Sequence, residues 1–157
     1  MTIRLATLSD HADINYQLYQ VAAVHHNGRP DLFRAGCKKY TDEELCILIE
    51  QEQNTRPIFV YEEGGRVLGY AFCILMDYSD EHVLTPIKSL YIDDLCVDEN
   101  CRGKHIGTKL FDFVKAYAKE IGCYNVTLNV WACNPGALKF YEKCGMQVQK
   151  MGMETVL

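Results

Sequence analysis

The stretch Arg102-Gly103-Lys104-His105-Ile106-Gly107-Thr108 decides how this chain is read. It joins a strand-like run to a helix-like run. The run before it, Ser89 to Val97 (S-L-Y-I-D-D-L-C-V), is largely apolar, with Asp93 and Asp94 inside it. The run after it sets Ile106, Leu110, Val114, Tyr117 and Ile121 three or four residues apart, which is one face of a helix. The first N–H groups of a helix have no partner within it, and the helix dipole adds partial positive charge there. Glycines let the backbone come close to a phosphate, and Arg102 and Lys104 add formal charge. The ligand expected at this turn is a phosphate or pyrophosphate, held by the N–H groups of Gly103, Lys104, His105, Ile106, Gly107 and Thr108.

Two common phosphate loops are excluded. The turn lacks G-x-x-x-x-G-K-[ST], so it is not a Walker A loop. It lacks G-x-G-x-x-G, and nothing before it opens a Rossmann half. A second block lies further on: Asn134-Pro135-Gly136-Ala137-Leu138-Lys139-Phe140-Tyr141-Glu142-Lys143-Cys144-Gly145. Asn134 reads as an N-cap, Pro135 as the first helical residue and Gly145 as the helix stop. A strand read over Asn125 to Trp131 (N-V-T-L-N-V-W) precedes it.

Together the two blocks resemble the GNAT acetyltransferases. The turn is similar to that family's pyrophosphate motif, [RQ]-x-x-G-x-[GA], opened by Arg102 and closed by Gly107, with His105 where the family has its middle glycine. The second block is similar to N-x-x-A-x-x-[FL]-Y-x-[KR]-x-G-[FM], matched at Asn134, Ala137, Phe140, Tyr141, Lys143, Gly145 and Met146. The resemblance is good from Tyr61 to the C-terminus and looser before it. It implies a GNAT fold, acetyl-CoA as cofactor, and transfer of acetyl to a primary amine by direct attack in a ternary complex, with a small-molecule amine as the expected acceptor. A protein N-terminus or lysine, or an acyl-CoA-binding module with little turnover, are the alternatives. A nucleotide-binding domain of another class rests on the glycine turn alone.

The resemblance also implies roles. Tyr141 is the expected general acid toward the CoA sulfur. Its phenol, with a reference pKa of ~10, is protonated at neutral pH and can donate. Asp93 or Asp94 is the expected general base, and the similar L-E-D strand of polyamine-type acetyltransferases favours Asp93. As neighbours in a strand, the two are expected on opposite faces. Leu95, Cys96 and Val97 are expected to bind the pantetheine arm, and to supply an oxyanion donor, through their backbone. Asn134 is expected to touch the cofactor while capping its helix. The spacing predicts that His105 lies in the first helical turn with ordinary dihedrals. His26, Arg29, Asp31 and Phe33, from the irregular H-H-N-G-R-P-D-L-F block, are candidate acceptor contacts, with Asn129 facing the same cleft. Arg29 and Asp31 are also expected to pair with each other. Tyr78, Asp80 and Glu81 lie in another loop that could border this pocket, and Trp131 reads as a packing or dimer residue.

The chain has 157 residues, 48% of them hydrophobic, which suits one domain, 1–157. The net charge of −5 argues against broad nucleic-acid binding and leans toward an amine. No apolar run approaches the ~18 residues of a membrane span. No signal-like N-terminus is visible, so a cytoplasmic protein without a membrane partner is expected. Homodimers are frequent in the resembling family. The eight cysteines form no C-x-x-C, and no His-x3-His pair accompanies them, so no metal site is expected and the thiols read as reduced. A ping-pong route through Cys96 or Cys133 lacks a histidine to activate either thiol.

The remaining elements follow from local signals. A strand is expected over Ile3 to Ala6, and a helix from a Ser9 or Asp10 cap to about His25, followed by irregular chain over His26 to Asp31. Thr41 and Glu44 form a capping box opening a second helix. Ile58 to Tyr61 and Val67 to Met76 read as a hairpin about Glu62 to Arg66. Gln147 to Val156 reads as a last strand. The order β-α-α-β-β-β-α-β-α-β describes an α/β (α+β) domain, a mixed sheet with helices on both faces.

Overall fold

The computed structural model describes residues 1–157. Its five strands are β1 (Thr2–Leu5), β2 (Ile58–Glu63), β3 (Arg66–Asp77), β4 (Lys88–Val97) and β5 (Asn125–Leu128), in sheet order β1-β2-β3-β4-β5. Neighbours from β1 to β4 run antiparallel, and β5 lies parallel to β4. The parallel step needs a crossover. The helix α3 (Ile106–Glu120), entered through the Arg102–Thr108 turn, provides it. The other helices are α1 (His11–Gly28), α2 (Asp42–Gln51) and α4 (Pro135–Lys143).

Two of the helices, α2 and α4, begin where a side chain holds a free N–H group. Thr41 accepts from the Glu44 amide at 3.1 Å, and the Glu44 carboxylate accepts from the Thr41 amide at 2.8 Å, the reciprocal box read from the sequence. Asn134 Oδ1 accepts from the Ala137 amide at 3.1 Å. α1 follows a 3-10 turn over Leu8–Asp10. It runs to Gly28 rather than about His25, so His26, Asn27 and Gly28 are helical and the irregular chain starts at Arg29.

The sheet carries one core on each face. Ile14 and Leu18 of α1 and Leu45, Leu48 and Ile49 of α2 pack on Ile58, Val60, Val67, Tyr70, Phe72 and Cys96. Phe111, Val114 and Ala118 of α3 pack on Phe59, Ala71, Cys73, Leu90 and Ile92.

Two irregularities aim the functional side chains. The first is a bulge in β4. Phe72 pairs with Asp94 while Cys73 pairs with Ile92, so Asp93 is the extra residue. Before it, the even-numbered Leu90 and Ile92 lie under α3. After it, the even-numbered Cys96 lies under α1. The opposite-face expectation for Asp93 and Asp94 is thereby corrected: both carboxylates bond tyrosines of the α1/α2 side. The second irregularity is a splay. Pairing of β4 with β5 ends at Ile92 with Leu128, so β5 stops short of the expected Trp131. From Asp93 to Val97, β4 has no β5 partner.

The last expected strand does not form. Gln147 to Val156 pairs with no strand, and Val148, Met151, Met153 and Val156 stay exposed. A strand needs a partner's backbone groups as well as a suitable composition. The Glu154 carboxylate instead pairs with Arg29. No helix is long and apolar enough to cross a membrane.

Candidate functional site

The Arg102–Thr108 turn sits at the open end of the splay. Asp98 caps the 3-10 turn Glu99–Cys101 just before it, accepting from the Asn100 amide at 3.0 Å. Gln20 of α1 holds the same turn, with Oε1 accepting from the Glu99 amide at 3.1 Å. Val97, Cys101, Arg102, Gly103, His105, Ile106, Gly107, Thr108 and Phe140 line a cleft of about 260 Å³. At Gly107 the fit is close: a Cβ there would lie 3.2 Å from the Phe140 ring and 3.5 Å from Val97. The glycine therefore lets α4 lie against the start of α3.

His105 departs from expectation. It is the N-cap of α3 at φ 59° and ψ 19°, the one non-glycine residue with positive φ. The turn demands a left-handed residue before Ile106, and histidine meets that demand at a cost of about 1–2 kcal/mol. Its carbonyl still accepts from the Lys109 amide at 3.1 Å, so the helix starts in register.

Two carboxylates and a phenol stand along the splay. Asp94 Oδ2 accepts from the Tyr70 hydroxyl at 2.9 Å. Burial pushes the Asp94 carboxyl up to about 6, against the Tyr70 hydrogen bond and the charge of Lys39, with Asp93 adding to the rise. Asp93 is engaged differently. It accepts from Lys39 Nζ at 2.7 Å and from the Tyr40 hydroxyl. Burial, then Asp93, holds the Tyr40 phenol well above its usual range. Tyr141 packs 5.0 Å from Phe140 and 6.0 Å from Phe111, ring to ring. Burial, with the Asp94 charge second, keeps its phenol protonated far above neutral pH. The Tyr141 hydroxyl has no protein partner.

Cys96 turns away from this cleft. Its Sγ faces the Gln17 carbonyl at 3.8 Å, and burial pushes the thiol up to about 12. A thiolate nucleophile there would be scarce at neutral pH. Cys133 lies against α1 instead: a Cβ on Gly28 would be 2.8 Å from its Sγ.

The candidate acceptor residues come together only in part. Phe33 lies 5.1 Å from the His25 ring, tilted by 30°, and meets Trp131 edge-on at 5.0 Å. His26 is spent on the backbone, its Nδ1 2.7 Å from the Phe33 carbonyl. Arg29 pairs with Asp31 at 2.8 Å, as expected, and also with Glu154. Asn129 donates to the Tyr91 hydroxyl at 3.1 Å. The Tyr78–Glu81 loop closes on itself through Tyr78 N to the Ile87 carbonyl, 3.0 Å. Sequence reasoning missed Lys39, Tyr40, Tyr70 and His25.

The model of the acetyltransferase (GNAT) family matches residues 21–146. The chain belongs to this family. A glucosamine 6-phosphate N-acetyltransferase of Arabidopsis thaliana is 39% identical over 66 residues, 42% of each chain, so the match spans less than half of that relative. A solved structure of a glucosamine-6-phosphate N-acetyltransferase from the same plant has a TM-score of 0.67 at 26% identity, over 99% of this chain and 97% of that one. A mutant of the BH1408 protein of Bacillus halodurans has a TM-score of 0.93 at 30% identity, over 100% and 99%. The mixed sheet flanked by helices is therefore the GNAT fold, as expected. The two motifs open α3 and α4, which follow the two strands, β4 and β5, that part beyond Ile92.

Proposed function

We propose that the protein transfers an acetyl group from acetyl-CoA to the amine of a small molecule, by direct attack within a ternary complex. The observation that carries this reading is the splay. One end is closed by the free N–H groups of the Ile106 helix start. Its sides hold a carboxyl near neutrality and a protonated phenol, Asp94 and Tyr141.

The residues fit acetyl-CoA. The amides from Gly103 to Thr108 suit a pyrophosphate, with Arg102 and Lys104 adding charge. The unpaired edge of β4 at Leu95, Cys96 and Val97 suits an amide-bearing arm, taken up as an added strand. Asn134 keeps its cap bond to Ala137, so any cofactor contact uses its amide nitrogen. Bound there, acetyl-CoA supplies an already activated thioester.

The chain's own groups do the rest. Asp94 takes the proton of the incoming ammonium, directly or through one water, and frees the nitrogen lone pair. A β4 backbone N–H donates to the carbonyl oxygen on which charge develops as the C–N bond forms. Tyr141 donates its proton to the sulfur as the C–S bond breaks, and the second proton that the nitrogen loses restores the phenol. Asp93, the base expected from the sequence, is occupied by Lys39 and Tyr40 and acts as a positioning group.

A second reading of the acceptor comes from the relatives, several of which are named for glucosamine 6-phosphate. The test is mass spectrometry of acetylated product and free CoA, with acetyl-CoA and a panel of amines that includes this sugar. The expected result is product that is lost in Tyr141→Phe. Acetyl-CoA binding without any product would favour the binding-module alternative.

A further inference from the structure

We infer that Lys39 is a positioning residue for the transfer: it fastens the chain between α1 and α2 to the bulge of β4 and gives Asp93 its counter-charge, which leaves Asp94 as the carboxylate that meets the incoming ammonium. This rests on the acetyltransferase reading above and deepens it, by naming a residue outside the sheet that governs the base.

The linker reaches both carboxylates. Lys39 and Tyr40 are the last two residues before the Thr41 cap of α2. Lys39 Nζ lies 2.7 Å from the Asp93 carboxylate and 3.3 Å from the Asp93 carbonyl oxygen, so it grips the side chain and the backbone of the bulged residue together. The Tyr40 hydroxyl donates to the other oxygen of the same carboxylate. The Tyr40 ring stacks on Phe72 at 5.4 Å, 13° from parallel, and Phe72 meets Tyr70 edge-on at 4.9 Å. Phe72 is the register partner of Asp94, and Tyr70 donates to the Asp94 carboxylate. The linker thus holds Asp93 by direct bonds and reaches Asp94 through a run of three rings. The same linker carries Arg29, Asp31 and Phe33, so the candidate acceptor wall and the base share one fastening.

Charge makes Lys39 the deciding member of this contact. The titratable groups around Asp94 are Tyr70 of β3, Asp93 and Cys96 of β4, Lys39 and Tyr40 of the linker, and Tyr141 of α4. Burial, first among the causes, keeps the three phenols and the thiol in their neutral forms. Asp93 and Lys39 are the formal charges left in that set. Arg56, which follows α2, donates to the Tyr40 hydroxyl at 3.3 Å and is paired with Glu52 at 3.2 Å. On α1, the His25 imidazole is depressed by burial and then by the Lys39 charge, so it adds no cation. Without Lys39, the Asp93 charge would bear on Asp94 unopposed, and neighbouring carboxylates resist ionising together. With Lys39 in place the two charges offset each other, and Asp94 is free to ionise and to take the acceptor's proton.

The experiment has one arm that needs no acceptor: a carboxyl ¹³C NMR titration of the full chain labelled at aspartate, with Asp94→Asn assigning the signal. The other arm is kcat/KM against pH, with glucosamine 6-phosphate or whichever amine of the panel gives most product. In the parent, Asp94 should titrate at about 6. In Lys39→Met the midpoint should rise by about 1 pH unit, the response of a carboxylate that loses a nearby cation, and kcat/KM at pH 6 should fall about fivefold relative to its high-pH plateau. Lys39→Arg should hold the midpoint at the parent position. Lys39→Met combined with Asp93→Asn should bring it back, because cation and anion leave together, a pattern that loss of packing would not produce. A midpoint unmoved in Lys39→Met, or moved equally in the double variant, would overturn the inference and leave the acetyltransferase reading intact. The expected shifts without product from any amine, with acetyl-CoA shown to bind, would overturn both.

Discussion

The hydroxyl of Tyr70, on β3, donates to the carboxylate of Asp94, on β4, across 2.9 Å. This bond anchors an acid that burial has brought close to neutrality, so Asp94 can take a proton and release it again near physiological pH. The bulge at Asp93 brings both groups to the same face of the sheet.

A pH–rate profile reads this directly. The acid limb of kcat/KM should rise through about pH 6, where Asp94 ionises. Asp94→Asn should lower kcat/KM by about 10²-fold or more and remove that limb. Asp93→Asn should keep it. A profile that loses its limb only in Asp93→Asn would return the base role to Asp93.

Stability should move the other way. The Asp94 carboxyl is raised from 3.8 to about 6 on folding, so between those values the folded state binds more protons than the unfolded one. Stability therefore falls as pH rises through this window, and the full cost is present above pH 6. Asp94→Asn, which can still accept from Tyr70, should be more stable than the parent at pH 7.5 by about 2–3 kcal/mol. The difference should fade below about pH 4. Urea unfolding at the two pH values measures it.

Tyr141→Phe keeps the ring against Phe111 and Phe140 and removes only the proton donor. kcat at saturating acetyl-CoA should fall by about 10²-fold or more, with the melting temperature little changed. Unchanged turnover would remove Tyr141 from the mechanism.

His105→Gly should stabilise the protein by about 0.5–1 kcal/mol, the relief of a left-handed residue less the extra freedom of glycine in the unfolded chain. His105→Ala has no such relief and should stay near the parent. Thermal unfolding of the two variants separates a strained backbone from a side-chain effect.

Gly28→Ala would push a methyl to within 2.8 Å of Cys133 Sγ. The expected loss is about 1 kcal/mol, since Gly28 is exposed and the half-buried Cys133 side chain can partly give way. Adding Cys133→Gly should recover part of it, by removing the sulfur that the methyl meets. Denaturant midpoints of the single and double variants would show the coupling.

Local signals in the sequence were reliable wherever the partner was also local. Thr41 with Glu44, Asn134 with Pro135, and the glycine turn before Ile106 each announce a helix start, and each helix begins there. What depends on a distant partner was not legible. The alternation around Asp93 and Asp94 predicts opposite faces, but the bulge arises from how β3 pairs with β4. Gln147 to Val156 has strand-like residues but no strand beside it. His105 was expected in ordinary helical geometry, and the turn imposes its own dihedral on whichever residue stands there. At the candidate site, the glycine turn and Tyr141 could be read from motifs. Tyr40, Tyr70 and Lys39 could not, because their meaning comes from what lies across from them.

The extra residue in β4 also sets what kind of change this strand can absorb. Its composition is forgiving, since Leu95, Cys96 and Val97 present backbone to the splay. Its length is forgiving at one point. Deleting Asp93 would leave Ile92 opposite Cys73 and Asp94 opposite Phe72, a regular ladder that keeps Leu95, Cys96 and Val97 on their present faces and loses only the bonds to Lys39 and Tyr40. An insertion beyond Asp94 would instead turn the following side chains to the opposite face.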